Sequence, residues 1–400
     1  MLRLALPRWQ AVAAAPASTI PAAPRYARRA PERTRLYALV QAHYPEFIAR
    51  LGAQDRTLPR YVHEEFEEFL RCGVLDHGFL RVVCEHCHAE GLVAFSCKKR
   101  GFCPSCGARR KAESARHLVE AVFGPRPVRQ WVLSFPYPLR LLFASKPDAI
   151  GPVLAIVHRV IAGWLADQAG VERARAQCGA VTLSQRCGSA LNLNVHFHML
   201  WLDGVYEENV DQPQRKPRLH RTRAPTSAQL TSLADKIAHR VCRHLARNGW
   251  LEGEEDSAFP TDSAGGDDGL DALRMSSITY RIATGTQAGR KVVTLQTLPG
   301  DAGKVGGFSL HADIAAEAHE SPKLERLCRY IARPAISDKR LSSSPQGRVR
   351  YQLKTPWRNG TTHVKFEPIE FIAKLAAVVP PPRAHLTRFH GVFAPNAGVR

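Results

Sequence analysis

Residues 191–202 read LNLNVHFHMLWL, an alternation typical of a β-strand inside a protein. Side chains at every second position of a strand point to the same face. The odd positions from Leu191 to Trp201 are all apolar and form one continuous core face. The even positions begin with two asparagines, continue with His196 and His198, and become apolar at the end. The pattern predicts a buried strand with two imidazoles on the face opposite its apolar side.

His196 and His198 lie one pleat apart, so their rings can converge on one divalent metal ion. A single histidine here would more often be an ordinary buried side chain, whereas two on one face favour a metal site. Residues 181–186 predict a neighbouring strand, which offers Gln185 as a less specific third ligand, since glutamine on a strand is usually polar surface. Two carboxylates at the far end of the histidine strand compete with it: Asp203 and Glu207.

Ten cysteines occur in the chain, and six of them lie between Cys72 and Cys106. At 400 residues the chain is too long for a small secreted disulfide scaffold, so a metal site in a reducing compartment is favoured. Two Cys-x-x-Cys pairs separated by fifteen residues predict tetrahedral zinc with four thiolate ligands: Cys84, Cys87, Cys103 and Cys106. A site closed by four thiolates is structural. Three nearby side chains are alternative ligands: Cys97, His86 and His88.

The composition is strongly basic, because 56 Lys and Arg stand against 36 Asp and Glu and give a formal net charge of +20. Nucleic acid or an anionic membrane surface is the expected partner. Even the apolar stretch 154–166 is interrupted by His158 and Arg159, which argues against a membrane span. Residues 97–116 carry seven bases and one acid, which favours contacts with phosphates over those with protein, although such a run can also be a solvated face.

A second informative segment begins at Ser321-Pro322, a helix start, and ends at Pro334, which stops a helix. Apolar residues at 324, 327, 328 and 331 predict its buried stripe. Tyr330 lies on the flank of that stripe, near Arg326, Arg329 and Arg333. Arginines around a phenol favour the phenolate and attract a phosphodiester. The alternative is a tyrosine that buries its ring and hydrogen-bonds its hydroxyl.

Basic residues alternate with apolar ones from Arg348 to Lys354 and predict a strand with one basic face, returning after a turn at Asn359-Gly360. This hairpin either faces DNA or is an ordinary edge protected by charge. The side chains that we predict to contact DNA are Lys98, Lys99, Arg100, Arg109, Arg110, Lys111, Arg326, Arg333, Arg348, Arg350 and Lys354.

The order of these segments predicts an α+β protein with several parts. Residues 1–33 form a flexible basic arm, for which a transit peptide is the alternative. We expect residues 34–122 to form a helical and zinc-binding domain, and residues 125–400 to form a catalytic or binding domain with a helix over about 149–169. Residues 251–271 contain eight acids and no base, which predicts a solvated linker or insertion.

The ordered motifs resemble a known family, the rolling-circle insertion-sequence transposases of the IS-ninety-one group, which are HUH nucleases with an amino-terminal zinc-binding domain. The similarity spans roughly residues 60–400 and is carried by five segments: VAFSCKKRGFCPSCGARRK (93–111), VTLSQRCGSALNLNVHFHMLWLDGVY (181–206), LERLCRYIARP (324–334), YQLKTPWRNGTTH (351–363) and FHGVFAPNA (389–397).

The resemblance implies a palm-like antiparallel sheet whose central strand carries His196 and His198. It implies that these histidines hold Mg²⁺ or Mn²⁺ against a phosphate of single-stranded DNA in the bacterial cytoplasm. It further implies that Tyr330 attacks the phosphate to give a 5′-phosphotyrosine and a free 3′-hydroxyl.

One departure from the family pattern concerns the tyrosine. Members that gave the group its name carry two tyrosines spaced four residues apart, whereas Arg326 and Pro334 stand four residues before and after Tyr330. The chain therefore resembles single-tyrosine variants.

Two alternative functions follow from the same residues: a non-catalytic zinc-ribbon protein that binds DNA, and a hydrolytic metalloenzyme that nicks DNA without a covalent adduct.

Overall fold

The computed structural model describes residues 30–397 apart from residues 87, 209–216, 253–258, 261–268, 284–287, 290–303 and 358. The helices are α1 (Arg35–Gly52), α2 (Arg60–Arg71), α3 (Pro104–His117), α4 (Tyr137–Ser145), α5 (Ile150–Ala169), α6 (Ser227–Arg247), α7 (Gly269–Ile278), α8 (Ser321–Ile331) and α9 (Pro368–Val378). A π-helical turn (Leu118–Phe123) continues α3.

The longer strands are β1 (Phe79–Val83), β2 (Glu90–Ala94), β3 (Val128–Ser134), β5 (Gly179–Cys187), β6 (Leu193–Leu202), β7 (Gly204–Glu207), β8 (Arg218–Arg221), β12 (Phe308–Ala316), β14 (Val349–Gln352), β15 (His363–Phe366) and β16 (Thr387–Gly391). The shorter strands are β4 (Ala176–Gln177), β9 (Leu251–Glu252), β10 (Phe259–Pro260), β11 (Lys304–Val305) and β13 (Leu341–Ser343).

The main sheet has six antiparallel strands in the order β11-β12-β3-β6-β5-β16. Strand β6 lies inside it, paired with β3 on one side and β5 on the other. The predicted strand therefore exists, but it begins at Leu193. Leu191 has a left-handed backbone conformation (φ 59°) and belongs to a different core, because the turn after β5 must reverse the chain there.

The two faces of this sheet pack against different helices. The odd-numbered side chains of β6 pack with α4, α5 and α6 in one hydrophobic core. On the opposite face, Leu200 and Leu202 pack with the end of α3, the π-turn and α8. The histidine face of β6 is therefore covered by α8, which carries Tyr330, and by the end of α3.

Helix α5, with the turn before it, forms a segment (Pro147–Ala169) long and apolar enough to cross a membrane by length and composition alone. Its most apolar window is 61% buried inside the protein, and its inner side chains belong to the core beneath the main sheet. We therefore assign α5 to the hydrophobic core beneath the main sheet.

A second core joins the beginning of the chain to its end. Helices α1 and α2 pack with α7, α9 and the three-stranded sheet β13-β14-β15. Strand β14 pairs with β15, as the sequence predicts, and its side chains alternate between buried Val349 and Tyr351 and more exposed polar residues. The amino-terminal helices therefore share their core with segments more than 200 residues away, and the predicted boundary at residues 122–125 stays a prediction.

The α+β class and the antiparallel sheet with flanking helices are confirmed. Residues 1–29 of the predicted arm lie outside the described residues, while Pro31–Arg33 form a 3₁₀ turn. Much of the predicted acidic linker also lies outside them. Its last three residues begin α7, where Leu270 is fully buried and Asp271 pairs with Arg274, and the linker or insertion itself stays a prediction.

Candidate metal and tyrosine site

The two imidazoles of β6 point toward one another. His196 Nε2 lies 3.2 Å from His198 Nε2, and both rings are buried. Burial lowers the pKa of His196 to about 4 and that of His198 to about 3, so both rings are neutral at pH 7. Neutral imidazoles are metal ligands, whereas imidazolium ions are not.

Hydrogen bonds to the far nitrogens set the orientation of both rings. His196 Nδ1 donates to the carbonyl oxygen of Asn194 at 2.8 Å, which leaves its Nε2 lone pair free. The amide nitrogen Nε2 of Gln130 on β3 lies 2.7 Å from His198 Nδ1, and rotating this amide by half a turn places its oxygen there instead. If the amide oxygen of Gln130 accepts from Nδ1, then Nε2 of His198 is also free to bind a metal. Both rings can therefore present a lone pair to the same point.

Gln130 was not singled out from the sequence. It is buried, and it lies on the strand that pairs with β6. The signal that could have found it is a polar side chain in a strand that must pass through the core. Its partner depends on the register between β3 and β6, which the sequence does not reveal.

Gln185 lies directly opposite His196 across the β5-β6 ladder. Opposite side chains in an antiparallel pair share a face and have Cβ atoms about 5 Å apart. Its Nε2 donates to the carbonyl oxygen of Ile331, while its Oε1 is buried and has no hydrogen-bond partner among the described residues. A buried amide oxygen without a partner fits an oxygen ligand, so Gln185 remains a candidate for the third position.

The competing carboxylates are engaged elsewhere. Asp203 makes a bidentate ion pair with buried Arg129, at 2.8 and 3.0 Å. Glu207 lies 3.0 Å from His220 and 3.4 Å from Arg175. Neither carboxylate belongs to the histidine pair, and the charged groups that act on the two rings in the described part of the chain are cations: Arg140, Arg333 and Lys354.

Helix α8 holds Tyr330 beside the histidines. The four predicted apolar positions, 324, 327, 328 and 331, are buried against the sheet and fix the rotation of the helix. The sequence predicts Ser321 as the N-cap and Pro322 as the first helical residue, whereas the helix begins at Ser321 and its N-cap is Glu320, whose side chain accepts no capping hydrogen bond. The half-buried ring of Tyr330 stands 5.9 Å from the His198 ring, centroid to centroid, at an interplanar angle of 88°.

Two cations lie over the Tyr330 ring. Arg333 Cζ is 4.4 Å and Lys354 Nζ is 3.8 Å from its centroid. Partial burial raises the pKa of Tyr330, but the charges and hydrogen bonds of Arg333 and Lys354 outweigh it, and the pKa falls below its ordinary value. The site thus contains an acidified phenol next to two neutral imidazoles.

The predicted zinc-binding domain of residues 34–122, which we call the zinc module, contains a cluster of four sulfurs. The Sγ atoms of Cys72, Cys97, Cys103 and Cys106 all lie within 4.8 Å of one another. Three of the pairs are separated by 3.5 to 3.7 Å. Four sulfurs about 2.3 Å from a tetrahedral zinc ion lie about 3.8 Å apart, so the cluster fits this ion.

This ligand set differs from the predicted one. Cys103 and Cys106 belong to it, and so does Cys97, the predicted alternate. Cys84 does not belong to it: the residue is exposed at the end of β1, in the β1-β2 hairpin. Cys87 lies outside the described residues. Cys72, at the end of α2, takes a place in the cluster, where its Sγ also accepts a hydrogen bond from the Cys97 amide.

The predicted DNA-contacting residues separate into three groups. Arg333 and Lys354 lie on Tyr330. Lys99, Arg100 and Arg110 lie with Arg333 around one cavity between the zinc module and the sheet. The remainder are exposed or half-buried: Lys98, Arg109, Lys111, Arg326, Arg348 and Arg350, of which Arg348 pairs with Glu367 at 2.7 Å.

Comparison with known proteins agrees with this geometry. The family described as "Putative transposase" matches residues 179–399, more than half of the chain and the part that contains β6 and α8. The chain belongs to this transposase family. Residues 39–135 match the "Transposase zinc-binding domain" of the IS-ninety-one group, which agrees with the four-sulfur cluster. The protein is therefore a zinc-binding, DNA-acting transposase. Comparisons with curated proteins and with solved structures give no match.

Proposed function

We propose that the chain is a metal-dependent nickase and strand transferase that acts on single-stranded ends of a DNA element. The observation that carries this proposal is the position of Tyr330, whose ring lies beside His198 and beneath two cations. A phenol with a lowered pKa beside two metal-binding imidazoles suits the attack of an oxygen nucleophile on a phosphodiester.

The proposed reaction is a transesterification. The phenolate oxygen of Tyr330 forms a bond to phosphorus, and the bond between phosphorus and the 3′-oxygen breaks. The electron pair leaves with the 3′-oxygen, which takes a proton and becomes a free 3′-hydroxyl. The phosphate stays on the tyrosine as a 5′-phosphotyrosine. Because one phosphoester replaces another, a 3′-hydroxyl can later attack and rejoin the strand without ATP.

Arg333 and Lys354 have two roles in this scheme. Their charges stabilise the phenolate before attack, and they lie close enough to offset the negative charge that develops on the phosphate. His196 and His198 would hold Mg²⁺ or Mn²⁺ through Nε2, with Gln185 Oε1 as a further ligand. When bound, the ion supplies positive charge that polarises the phosphate and fixes its orientation.

A single strand is the proposed substrate because the site is recessed. His196 and His198 are 7% and 4% exposed and Tyr330 is only half-exposed, so a phosphate must reach into the protein to meet them. A flexible single strand can bend into such a site more readily than a stiff duplex. The +20 net charge supports binding of the polyanion.

The test uses a single-stranded oligonucleotide that carries the end of the element encoding the chain, labelled at its 3′ end. With Mg²⁺, the wild type should form a covalent adduct that retains the label, because the 5′-phosphate of the labelled fragment stays on the tyrosine. Tyr330→Phe should form none. Tyr137→Phe is the matched control: this exposed tyrosine also lies under an arginine, with Arg140 Cζ 4.8 Å from its ring, and the variant should keep the adduct.

Three outcomes contradict the proposal. An adduct that persists in Tyr330→Phe assigns the nucleophile elsewhere. Nicks without any adduct indicate the hydrolytic alternative, and binding without cleavage indicates the non-catalytic DNA-binding alternative.

A further inference from the structure

A cavity of about 130 Å³ lies where the zinc module meets the catalytic sheet. Four parts of the chain line it: the loop and helix that follow Cys97, strand β5, the residues just after Tyr330, and the segment from Val378 to Thr387. Helix α3 approaches the end of α8 closely here, since a Cβ at Gly107 would lie 2.5 Å from the Cβ of Pro334. The volume is several times the ~10–15 Å³ that one water needs, so the cavity can hold a small polar group.

Apart from the zinc ligand Cys103, the charged side chains that line this cavity are all cationic. Five of its side chains are cationic and none is a carboxylate: Lys99, Arg100, Arg110, Arg186 and Arg333. Such a concentration of one sign in a partly enclosed space attracts an anion more strongly than the same charges would on an open surface.

Most of these cations are held by backbone carbonyl groups. Arg110 donates to the carbonyl oxygens of Lys98 and Lys99, at 3.0 and 3.1 Å. Arg186 donates to three carbonyl oxygens, those of residues 144, 378 and 379. Carbonyls orient a guanidinium but leave its charge in place. By contrast, buried Arg129 outside the cavity pairs with the carboxylate of Asp203. Among the five cavity cations, Lys99 is the one that pairs with a carboxylate of the described residues, at 3.4 Å from Glu64.

Two observations indicate that this arrangement is suited to an anion. Arg333 Nη1 is buried and has no hydrogen-bond partner among the described residues. Arg186 is half-buried, and its hydrogen-bond partners among the described residues are carbonyl oxygens, with no carboxylate. A buried cation without a counter-charge is costly, and a bound anion would remove that cost.

We propose that this cavity binds a backbone phosphate of the DNA strand, next to the phosphate that Tyr330 attacks. Arg333 connects the two positions, because it lines the cavity and also covers the Tyr330 ring. One part of this assignment, the attack of Tyr330 on the strand, rests on the proposed function. Its consequence is that the zinc module helps to position the strand, since Lys99, Arg100 and Arg110 all follow the zinc ligand Cys97.

The first test adds a negative charge inside the cavity. Ser114 lines it and Ala112, two residues earlier on α3 and also half-buried, does not. Ser114→Glu and Ala112→Glu change the net charge equally, so only the position differs. The probe is fluorescein-labelled (dT)₂₀, bound to zinc-loaded full-length protein without Mg²⁺ or Mn²⁺ so that no cleavage occurs. We expect Ser114→Glu to weaken binding roughly tenfold or more relative to Ala112→Glu.

The second test removes positive charge, and it still tests the proposal if Ser114→Glu does not fold. Lys99→Gln with Arg100→Gln removes two charges from the cavity, and Arg81→Gln with Arg116→Gln removes two exposed charges from the same module. Loss of one phosphate contact in a single strand lowers the slope of log affinity against log salt by about 0.7. We expect the cavity pair to lose at least this amount more than the control pair.

These outcomes are separable from those of the nicking assay. Equal binding by cavity and control variants in both comparisons overturns the phosphate site, even if the Tyr330 adduct forms. A difference in binding without any adduct supports the cavity as a DNA phosphate site and contradicts the proposed nickase. Inorganic phosphate that binds equally to wild type and Ser114→Glu also counts against the cavity as the anion site.

Discussion

The cysteine cluster and the histidine pair are both suited to metal ions, yet they are built in opposite ways. Four soft thiolates surround one point in the zinc module, which leaves no open position for a substrate. On β6, two neutral imidazoles meet at 3.2 Å, and the space beside them faces Tyr330. The closed arrangement of the cysteines suits a site that holds the chain together, whereas the open arrangement of the histidines suits the proposed site that would expose a metal to a phosphate.

The two sites are nevertheless connected. Helix α3, which begins immediately after the zinc ligand Cys103, packs against α8, which carries Tyr330. Zinc bound to this cluster should therefore stabilise the packing of α3 and α8 over the histidine face as well as the zinc module itself. Removal of zinc should affect folding first and catalysis as a consequence, whereas a change at the histidines should affect catalysis alone.

The largest effect is expected from Cys72→Ser, which removes a zinc ligand from the core shared by α1, α2 and α9. Structural zinc contributes about 10–16 kcal/mol in small zinc-finger peptides, so the thermal unfolding midpoint should fall by roughly 10 °C or more and bound zinc should decrease. The matched variant Cys84→Ser should retain the zinc of this cluster. Equal loss of zinc and stability in both variants would contradict the ligand set Cys72, Cys97, Cys103 and Cys106.

The next effect should be purely catalytic. His198→Ala removes one imidazole, and the single-turnover rate of adduct formation with Mg²⁺ should fall about 10³-fold, since metal catalysis supplies several kcal/mol. His158→Gln is the control, because His158 is also buried but contacts Thr182 and Trp201. It should keep the rate within a few-fold. A comparable loss of rate in the control would mean that the histidine pair acts through stability.

A smaller effect is expected from Gln130→Met, which keeps the size of the side chain but removes the hydrogen bond to His198. Loss of such an orienting partner lowers metal affinity or activity by about 10–100-fold. The Mg²⁺ concentration for half-maximal adduct formation should therefore rise. If the rate of adduct formation at saturating Mg²⁺ and the Mg²⁺ concentration for half-maximal adduct formation both stay unchanged, Gln130 does not orient His198.

The smallest effect concerns pH. The cations over Tyr330 lower the pKa of its phenol, so adduct formation should increase with pH and reach half its maximum below the ordinary tyrosine value. Lys354→Met removes one of these cations, which should raise that midpoint and slow the reaction at pH 7. Lys365→Met, an exposed lysine on the neighbouring strand β15, should leave the midpoint unchanged. A midpoint that moves equally in both would assign the effect to net charge.

Much of the catalytic region is predictable from local periodicity. Alternation in residues 193–202 fixes which face of β6 carries the histidines, and the apolar stripe of α8 fixes which side of the helix carries Tyr330. Both patterns exist because a buried strand and a half-buried helix must each present an apolar face. The family resemblance supplied the link between the two segments, which periodicity alone does not contain.

The zinc ligands and the supporting contacts were less predictable. The Cys-x-x-Cys spacing at Cys84 and Cys87 has the form of a ligand pair, but Cys84 lies on an exposed hairpin, and Cys72, which has no such motif, enters the cluster from the end of α2. Gln130 and Lys354 approach the site from other strands or loops. Their positions follow from strand register and packing between distant segments, which a single sequence does not specify.

Mass-spectrometric mapping of the covalent adduct tests the central claim most directly, namely that the phenol beside the histidine pair is the nucleophile. After reaction of the wild type with the single-stranded element end and Mg²⁺, nuclease and protease digestion should yield one nucleotide-bearing peptide, modified at Tyr330 through a 5′-phosphate. A nucleotide on any other tyrosine, or a cleaved strand with no modified peptide, would contradict the account.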